Sequence, residues 1–179
     1  MKKKINQEEI DQLKKNIFSD DWELVKSSAD RLGEIGGTEI TDFLISLLSS
    51  DNSGIRNSAS LALKEIKDNR AVEPLLKAIF KKKNHNHNGT MVFALESHDC
   101  SEKLKEIFKI LYYETYEAKM SAYAILDKQI FTFAKEDLFA IEKMLKDCIK
   151  HPEKCPDYDK SKKDIQFMVD SYLSYLKPE

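Results

Sequence analysis

Residues 24–37 read LVKSSADRLGEIGG, and residues 55–68 read IRNSASLALKEIKD. A shift of 31 residues lays the first segment on the second, so that Leu32 meets Leu63 and small residues meet small residues. Segments of this kind that recur at a fixed spacing are typical of helical repeat proteins. The sequence therefore predicts a repeated supersecondary unit.

The period continues toward the C-terminus. A further shift of 32 residues sets Leu63 on Leu95, and a last shift of 31 residues sets Leu95 on Leu126. Four units at a nearly constant spacing indicate one array of repeats.

Each unit predicts a hairpin of two helices. The first helix is rich in small residues, such as Ser58 and Ala59, which allow helices to approach closely. The second carries apolar residues at helical spacing, such as Val72, Leu75 and Ile79, and these form one buried face. One hairpin cannot bury that face alone, so neighbouring hairpins stack and share a core. The pattern predicts an all-α solenoid.

We expect the chain to form a single domain of about four such hairpins with a capping helix at each end. Solenoids need these terminal elements because an open end would expose the apolar face of the last hairpin. The predicted elements, in chain order within domain 1–179, are a cap helix at 5–18, repeats at about 21–50, 51–83, 87–113 and 115–150, and a cap helix at 161–177.

The pattern V-R-x-x-A-x-x-A-L-x-x-I-G, followed by an amphipathic L-x-x-L-L helix, is carried by residues 24–37 and 55–68 and by AKMSAYAIL at 118–126. It resembles bacterial HEAT-like repeats, including those first described in phycobilisome lyases. The resemblance covers residues from about 21 to 148 and implies a right-handed α-solenoid. HEAT-like modules occur in scaffolds, bilin lyases, some alkylpurine DNA glycosylases, and bacterial immunity and adaptor proteins. The resemblance therefore implies a fold and leaves the function open.

Composition narrows the class of function. Lys plus Arg number 29 and Asp plus Glu number 31, a net charge of −2 that disfavours a general nucleic-acid binder. The sequence has no run of about 18 apolar residues, and its basic start, MKKKINQEEIDQL, lacks the apolar core of a secretory signal. Three cysteines are too few, and odd in number, for a disulfide framework. We expect a cytoplasmic protein with reduced thiols and no membrane contact, and we expect it to be a monomer.

The stretch NHNHNGT at residues 84–90 is unusually polar. Three interpretations stay open: an ordinary loop in which Asn88 or Thr90 caps the next helix, a loop that contacts a partner, and a metal site that uses His85 and His87. Two histidines without further ligands are a weak signal for a metal.

Another histidine lies between two cysteines near the C-terminus. Cys148, His151 and Cys155 have the spacing of part of a zinc site, but structural zinc takes four ligands. Cys148 also continues an apolar stripe after Leu145, which favours a buried thiol. We expect no metal and no cofactor.

Glu96, His98, Asp99 and Cys100 form a cluster that invites a comparison with nucleophilic catalysis. Residues this close in sequence cannot all converge on one atom, and Asp99 is expected to cap a helix that begins near Ser101. The common phosphate-binding, dinucleotide-binding, zinc-protease and serine-hydrolase motifs do not occur in the sequence. We expect no catalytic residue and favour a protein that is not an enzyme.

A basic stripe is a further candidate. The run Lys81–Lys83, joined by Arg56, Lys77 and Lys119, would form a surface that contacts phosphate. A DNA glycosylase also needs a base-binding pocket with an acidic residue, and the net charge disfavours nucleic acid as a partner.

Two classes of function follow. The preferred hypothesis is a protein-interaction module or adaptor, with an inhibitor or immunity-type protein as one version. The alternative is a HEAT-like enzyme, DNA glycosylase-like or lyase-like, that processes nucleic acid or a small ligand near Glu96 or Glu117. The resemblance implies that second helices line the inner groove, and their mixed charge predicts a charge-patterned protein partner. The residues expected to contact it are Arg70, Glu73, Lys77, Asn88, Glu102, Lys105, Lys109 and Glu142.

Overall fold

The structure is a computed structural model that describes residues 6–176. Within that range it holds ten α-helices and no strand. The predicted all-α solenoid of helical hairpins is confirmed. Ile5 and Lys177, at the outer ends of the two predicted cap helices, lie outside the described residues. The helices are α1 Gln7–Asn16, α2 Trp22–Ile35, α3 Thr38–Leu47, α4 Ser53–Ile66, α5 Val72–Ile79, α6 Gly89–Leu95, α7 Leu104–Tyr113, α8 Tyr116–Lys128, α9 Lys135–Lys150 and α10 Tyr158–Leu173.

The chain divides into two compact units, unit 1 (Met1–Ala78) and unit 2 (Ile79–Glu179). In unit 1 the first helices of two hairpins, α2 and α4, pack against each other, and α3 packs on α4. Small residues set the distance between α2 and α4, because a Cβ atom at Gly33 would lie 3.2 Å from both the Cα and the carbonyl oxygen of Ala62. This close packing leaves Leu32 and Leu63 fully buried.

Polar residues at the helix ends define the hairpins of unit 1. The Asp21 carboxylate accepts the Glu23 N–H at 3.0 Å at the start of α2, and the Asn52 side chain accepts the Gly54 N–H at 2.8 Å at the start of α4. Gly36, between α2 and α3, has a φ of 66°, a value that a residue with a Cβ adopts only with strain. The capping side chains thus mark where α2 and α4 begin, and Gly36 marks where α2 ends.

Unit 2 repeats the arrangement. The first helices α6 and α8 pack together, α7 packs on α8 and α9, and α10 covers α9, α8 and α7. Its core contains the buried ring of Phe108, which meets the ring of Tyr172 edge-to-face with 5.2 Å between centroids. No helix within residues 6–176 is long and apolar enough to cross a membrane.

The packing of α2 on α4 yields a stability prediction. Leu63→Ala leaves a cavity in unit 1, and we expect it to lower the free energy of unfolding by about 2–5 kcal/mol. The control is Ile130→Ala, because Ile130 is 92% exposed and its replacement removes little buried surface. Urea unfolding followed by circular dichroism measures both. Equal midpoints for Leu63→Ala and the parent protein would show that this register of the repeat is wrong.

Candidate functional site

A groove on unit 2 is a candidate binding site. It has a volume of about 520 Å³, and we call it the lysine groove. Its position depends on α7 packing against α9, and Phe80, which follows α5, completes its lining. The lysine groove is lined by Phe80, Lys105, Glu106, Lys109, Ala140, Lys143 and Met144.

Helical spacing explains why these side chains share a surface. Lys105 and Lys109 are four residues apart on α7, so they lie on one face of that helix. Ala140 and Met144 stand in the same relation on α9, with Lys143 beside them. Two packed helices thus present a floor of apolar atoms between lysine ammonium groups.

Two of the lysines are held in place. The Lys105 Nζ lies 3.0 Å from Asp137 Oδ1, while Asp137 Oδ2 accepts the Ala134 N–H at 2.8 Å at the start of α9. The hydrogen bond to Asp137 raises the pKa of Lys105, and the hydrogen bonds from Ala134 and then Lys105 lower the pKa of Asp137. The Lys109 Nζ lies 4.3 Å from the centroid of the Phe80 ring, a cation–π distance.

A second cavity of about 540 Å³ adjoins the first, and both are lined by Phe80 and Lys109. We call it the His85 pocket. Glu114 is buried there, and its Oε2 accepts the Asn88 Nδ2–H at 2.8 Å and lies 3.2 Å from His85 Nδ1. The other lining residues are Ile79, Lys81, Lys82, Asn86 and Tyr113.

The residues predicted to contact a partner fall on both units. Lys105 and Lys109 line the lysine groove, and Glu142 lies nearby on α9, where it pairs with Lys146 at 2.8 Å. Glu102 is exposed in the turn before α7. The remaining predicted contacts, apart from Asn88, are the exposed residues Arg70, Glu73 and Lys77 of unit 1.

Arg70 is already engaged within unit 1. Its guanidinium donates to Asp68 Oδ2 and to Asp42 Oδ1, each at 2.7 Å. Hydrogen bonding to Asp68, with a smaller effect of Asp42, raises its pKa above the ordinary value. The pairing joins the end of the α4–α5 connection to α3, so Arg70 has a structural role in addition to any contact with a partner.

Several lining residues of the groove escaped the sequence analysis. Phe80, Lys143 and Met144 were not among the predicted contacts, because only one outward stripe of each second helix was expected to face a partner. A signal was present in α9, where Ala140 and Met144 widen the apolar face beyond Ile141. Neither Glu96 nor Glu117, the carboxylates proposed for an enzyme site, lines either cavity.

The predicted basic stripe is wrong because two of its members are buried. Arg56 Nη1 donates to the Ser50 and Asp51 carbonyl oxygens at 2.8 and 3.0 Å. Lys119 is 1% exposed, and its Nζ donates to the Leu111 and Tyr112 carbonyl oxygens at 3.0 and 2.7 Å. Both cations therefore satisfy carbonyl groups at or just after the end of a preceding second helix and leave no charge on the surface.

Asn88 was predicted to contact a partner, and this too is wrong, because its side chain is fully buried. Asn88 stands 32 residues after Arg56 and 31 before Lys119, at the same repeat position. Its Nδ2 donates to the Ile79 carbonyl oxygen at 3.1 Å, at the last residue of α5. It makes no side-chain cap to its own helix α6. The three residues thus perform one task, which is to cap the carbonyl end of the helix before them.

Burial of Lys119 yields a pH prediction. Burial lowers the pKa of Lys119 from 10.5 to about 8. Between these two values the unfolded chain keeps a proton that the folded chain has lost, so the contribution of this group to stability rises with pH. We expect the free energy of unfolding of the parent to gain up to about 3 kcal/mol relative to Lys119→Met across that window.

Urea unfolding of both proteins at a series of alkaline pH values checks this expectation. Lys128→Met, which changes an exposed lysine at the end of the same helix, is the control and should run parallel to the parent. Parallel curves for Lys119→Met would contradict the assigned pKa shift.

The metal hypotheses gain no support from the geometry. No group of three or more His, Cys, Asp or Glu side chains placed to hold a metal ion occurs within the described residues. His85 instead faces Glu114. The zinc-like spacing of Cys148 and Cys155 corresponds to a disulfide between these two residues.

The disulfide corrects the expectation of three reduced thiols. The chain turns after α9 through Pro152–Lys154, which brings the Cα atoms of Cys148 and Cys155 to 5.9 Å, within the usual range for a disulfide. Counting cysteines could not show this proximity. Cys100 is the remaining free thiol.

The Cys100 cluster does not form a nucleophilic site. Cys100 is fully buried, and burial, with a smaller effect of Asp99, raises the pKa of its thiol to about 12. A buried thiol with so little thiolate is a poor nucleophile. The prediction that Asp99 caps the next helix is also wrong: its Oδ1 accepts the Ser101 N–H at 2.9 Å in a turn, and α7 begins only at Leu104.

Thiol labelling tests both statements about the cysteines. We expect iodoacetamide to label no cysteine in the native, unreduced protein, because Cys100 is buried and the other two are bonded. In denaturant without reductant one label should appear, and after reduction three. Intact-mass spectrometry counts the labels. Three labels in denaturant without reductant would contradict the disulfide, and rapid labelling of the native protein would contradict the burial of Cys100.

The comparison with protein families gives one match. Residues 10–86 match the family model described as HEAT repeats. The match covers the hairpins α2–α3 and α4–α5, so the HEAT-like repeat predicted from the sequence is confirmed there. No curated protein matches the chain.

The chain is also similar to crystal structures of two engineered proteins from the Northeast Structural Genomics Consortium. The first is 20% identical, with a TM-score of 0.48 over 78% of this chain and 68% of that chain. The second is 20% identical, with a TM-score of 0.46 over 78% of this chain but only 41% of that chain. At TM-scores this low, neither likeness adds to what the helices themselves show.

Proposed function

We propose that the chain is a protein-interaction module that binds a partner protein through the lysine groove. HEAT repeats commonly act as interaction scaffolds, and residues 10–86 match that family. The observation that carries the proposal is the groove itself, a concave site formed by α7, α9 and Phe80. In this proposal the partner contacts Lys105 and Lys109, with Glu102 and Glu142 on the same unit as further contacts.

The chemistry of the groove suits a protein. Phe80, Ala140 and Met144 supply an apolar floor, and Lys105 and Lys109 stand at its edge. Protein interfaces combine an apolar centre, which contributes most of the binding energy, with a polar rim that selects the partner. The groove has both parts in one cavity.

The particular role that we propose is that of an adaptor or of an inhibitor, such as an immunity-type protein. The resemblance to bacterial repeats favours a bacterial protein, and we propose in addition that it is cytoplasmic and monomeric. A cytoplasmic location requires the Cys148–Cys155 bond to persist where thiols are normally kept reduced. The thiol labelling described above, applied to protein taken directly from its native cells, shows whether the disulfide is present in those cells.

Site-specific photo-crosslinking tests the proposed function. We replace Glu106, which lines the groove, by a photoreactive phenylalanine analogue, so that every groove lysine is kept. Irradiation in native cell extract should attach one protein at this position, and an excess of unmodified protein should compete it away. The same analogue at Lys150, an exposed residue at the end of α9, is the control and should attach no specific protein.

Charge reversal then links the partner to the groove. Lys109→Glu should reduce the crosslinked product at least about tenfold, because it reverses the charge of a rim residue that the partner contacts. Nucleic acid in place of protein, or no specific product at Glu106, would contradict the interaction module. Such a result would favour the alternative, a protein that processes nucleic acid or a small ligand.

A further inference from the structure

Positive charge collects around the lysine groove and the His85 pocket. Five lysines, Lys81, Lys82, Lys105, Lys109 and Lys143, line the two cavities. Only two carboxylates, those of Glu106 and Glu114, line them as well. The chain as a whole carries a net charge of −2, so this excess is a local feature of unit 2.

Most of this charge is available to a ligand. Lys105 is paired with Asp137 and Glu114 is hydrogen-bonded by Asn88, so these groups are largely satisfied within the protein. Lys81, Lys82, Lys109 and Lys143 have no carboxylate within ion-pair distance in the part of the chain from residue 6 to 176, and all four are exposed. A ligand that fits this surface therefore carries negative charge.

The floor of the groove adds a second requirement. Phe80, Ala140 and Met144 line it, and none of these side chains offers a hydrogen bond to a polar ligand. A purely charged ligand would leave this apolar surface in contact with water. The ligand must therefore place apolar groups between its negative charges.

Two observations favour a peptide over nucleic acid. The last arginine in the sequence is Arg70, so unit 2 lacks the forked guanidinium groups that grip phosphates with two hydrogen bonds. Proteins that bind single strands stack bases on open aromatic faces, but the ring of Phe80 already carries the ammonium of Lys109. Lysine side chains above an apolar floor suit a ligand that carries carboxylates beside apolar groups.

We infer that the lysine groove receives an acidic amphipathic helix of the partner protein, whose apolar side chains enter the floor and whose carboxylates pair with Lys109 and Lys143. This inference rests on the proposed function and names the chemistry of its partner. Helices bind grooves through apolar anchors at positions i, i+3, i+4 and i+7, and the remaining positions select the partner by charge. Further carboxylates of the same segment reach Lys81 and Lys82 at the adjoining His85 pocket.

Peptide selection tests the inference without knowledge of the partner. Random displayed peptides of about 16 residues, long enough for four helical turns, are selected on the full-length protein. In each round, peptides that also bind the double variant Lys109→Glu/Lys143→Glu are removed. We expect the surviving peptides to combine Asp or Glu with apolar residues at helical spacing.

A direct measurement follows for the most enriched peptide. Fluorescence anisotropy should show at least about tenfold weaker binding to Lys109→Glu/Lys143→Glu, and similar weakening when salt rises from about 50 to about 300 mM. The matched control is Lys150→Glu/Lys163→Glu, which makes the same change in net charge at exposed positions of unit 2 that line neither cavity. It should change the affinity by less than about twofold.

Three results would overturn the inference. One is that no groove-dependent peptide is enriched, and another is that enriched peptides are neutral or basic. The third is that a labelled single-stranded oligonucleotide binds more tightly than the best peptide, and that this binding is lost in the variant Lys109→Glu/Lys143→Glu. The crosslinking experiment separates these failures from failure of the proposed function, because a protein attached at Glu106 through a non-acidic segment would contradict the inference alone.

Discussion

The carbonyl groups at or just after the ends of α3, α5 and α7 receive their hydrogen bonds from the helix or helix start that follows. Arg56, Asn88 and Lys119 supply the donors, and they occupy the same position in three successive repeats. A helix leaves its last carbonyl groups without partners, and a buried helix end needs such donors. Each first helix is thereby fixed to the end of the helix before it, and much of the remaining geometry depends on this contact.

The same contact shapes the binding surface of unit 2. Asn88 donates both to Ile79 and to the buried Glu114, so one side chain holds the end of α5 near the end of α7. Phe80 follows Ile79 directly and is placed under Lys109 of α7. The position of Phe80 in the lysine groove therefore depends on Asn88, a residue that is fully buried.

Burial also decides which charges can act in recognition. The side chains of Arg56 and Lys119 donate hydrogen bonds to carbonyl groups inside the protein, whereas Lys109 and Lys143 are exposed. Desolvation is unfavourable for a buried ammonium and lowers its pKa, as Lys119 shows. Two lysines of the same formal charge thus differ in whether a ligand can reach them, because one is surrounded by protein and the other by water.

The sequence by itself determined the helices and their order. The period of 31 or 32 residues, the small residues of α2 and α4 and the apolar stripe of α5 depend on local spacing, which a single chain displays directly. The sequence even placed Arg56, Asn88 and Lys119 at one repeat position. It did not show that all three side chains point inward. Helical periodicity assigns a long polar side chain to a face of the helix, but it does not reveal which carbonyl groups of another segment lie next to that face.

Only the tertiary structure decided what lies together. The Cys148–Cys155 pairing depends on a turn whose path no cysteine count reveals. The lysine groove brings residue 80 beside residues 105–109 and 140–144, and the last two segments meet because α7 packs against α9. Contacts between distant segments depend on the packing of whole helices, and this is the physical reason why the sequence identified Lys105 and Lys109 but not the surface that they share with Phe80, Lys143 and Met144.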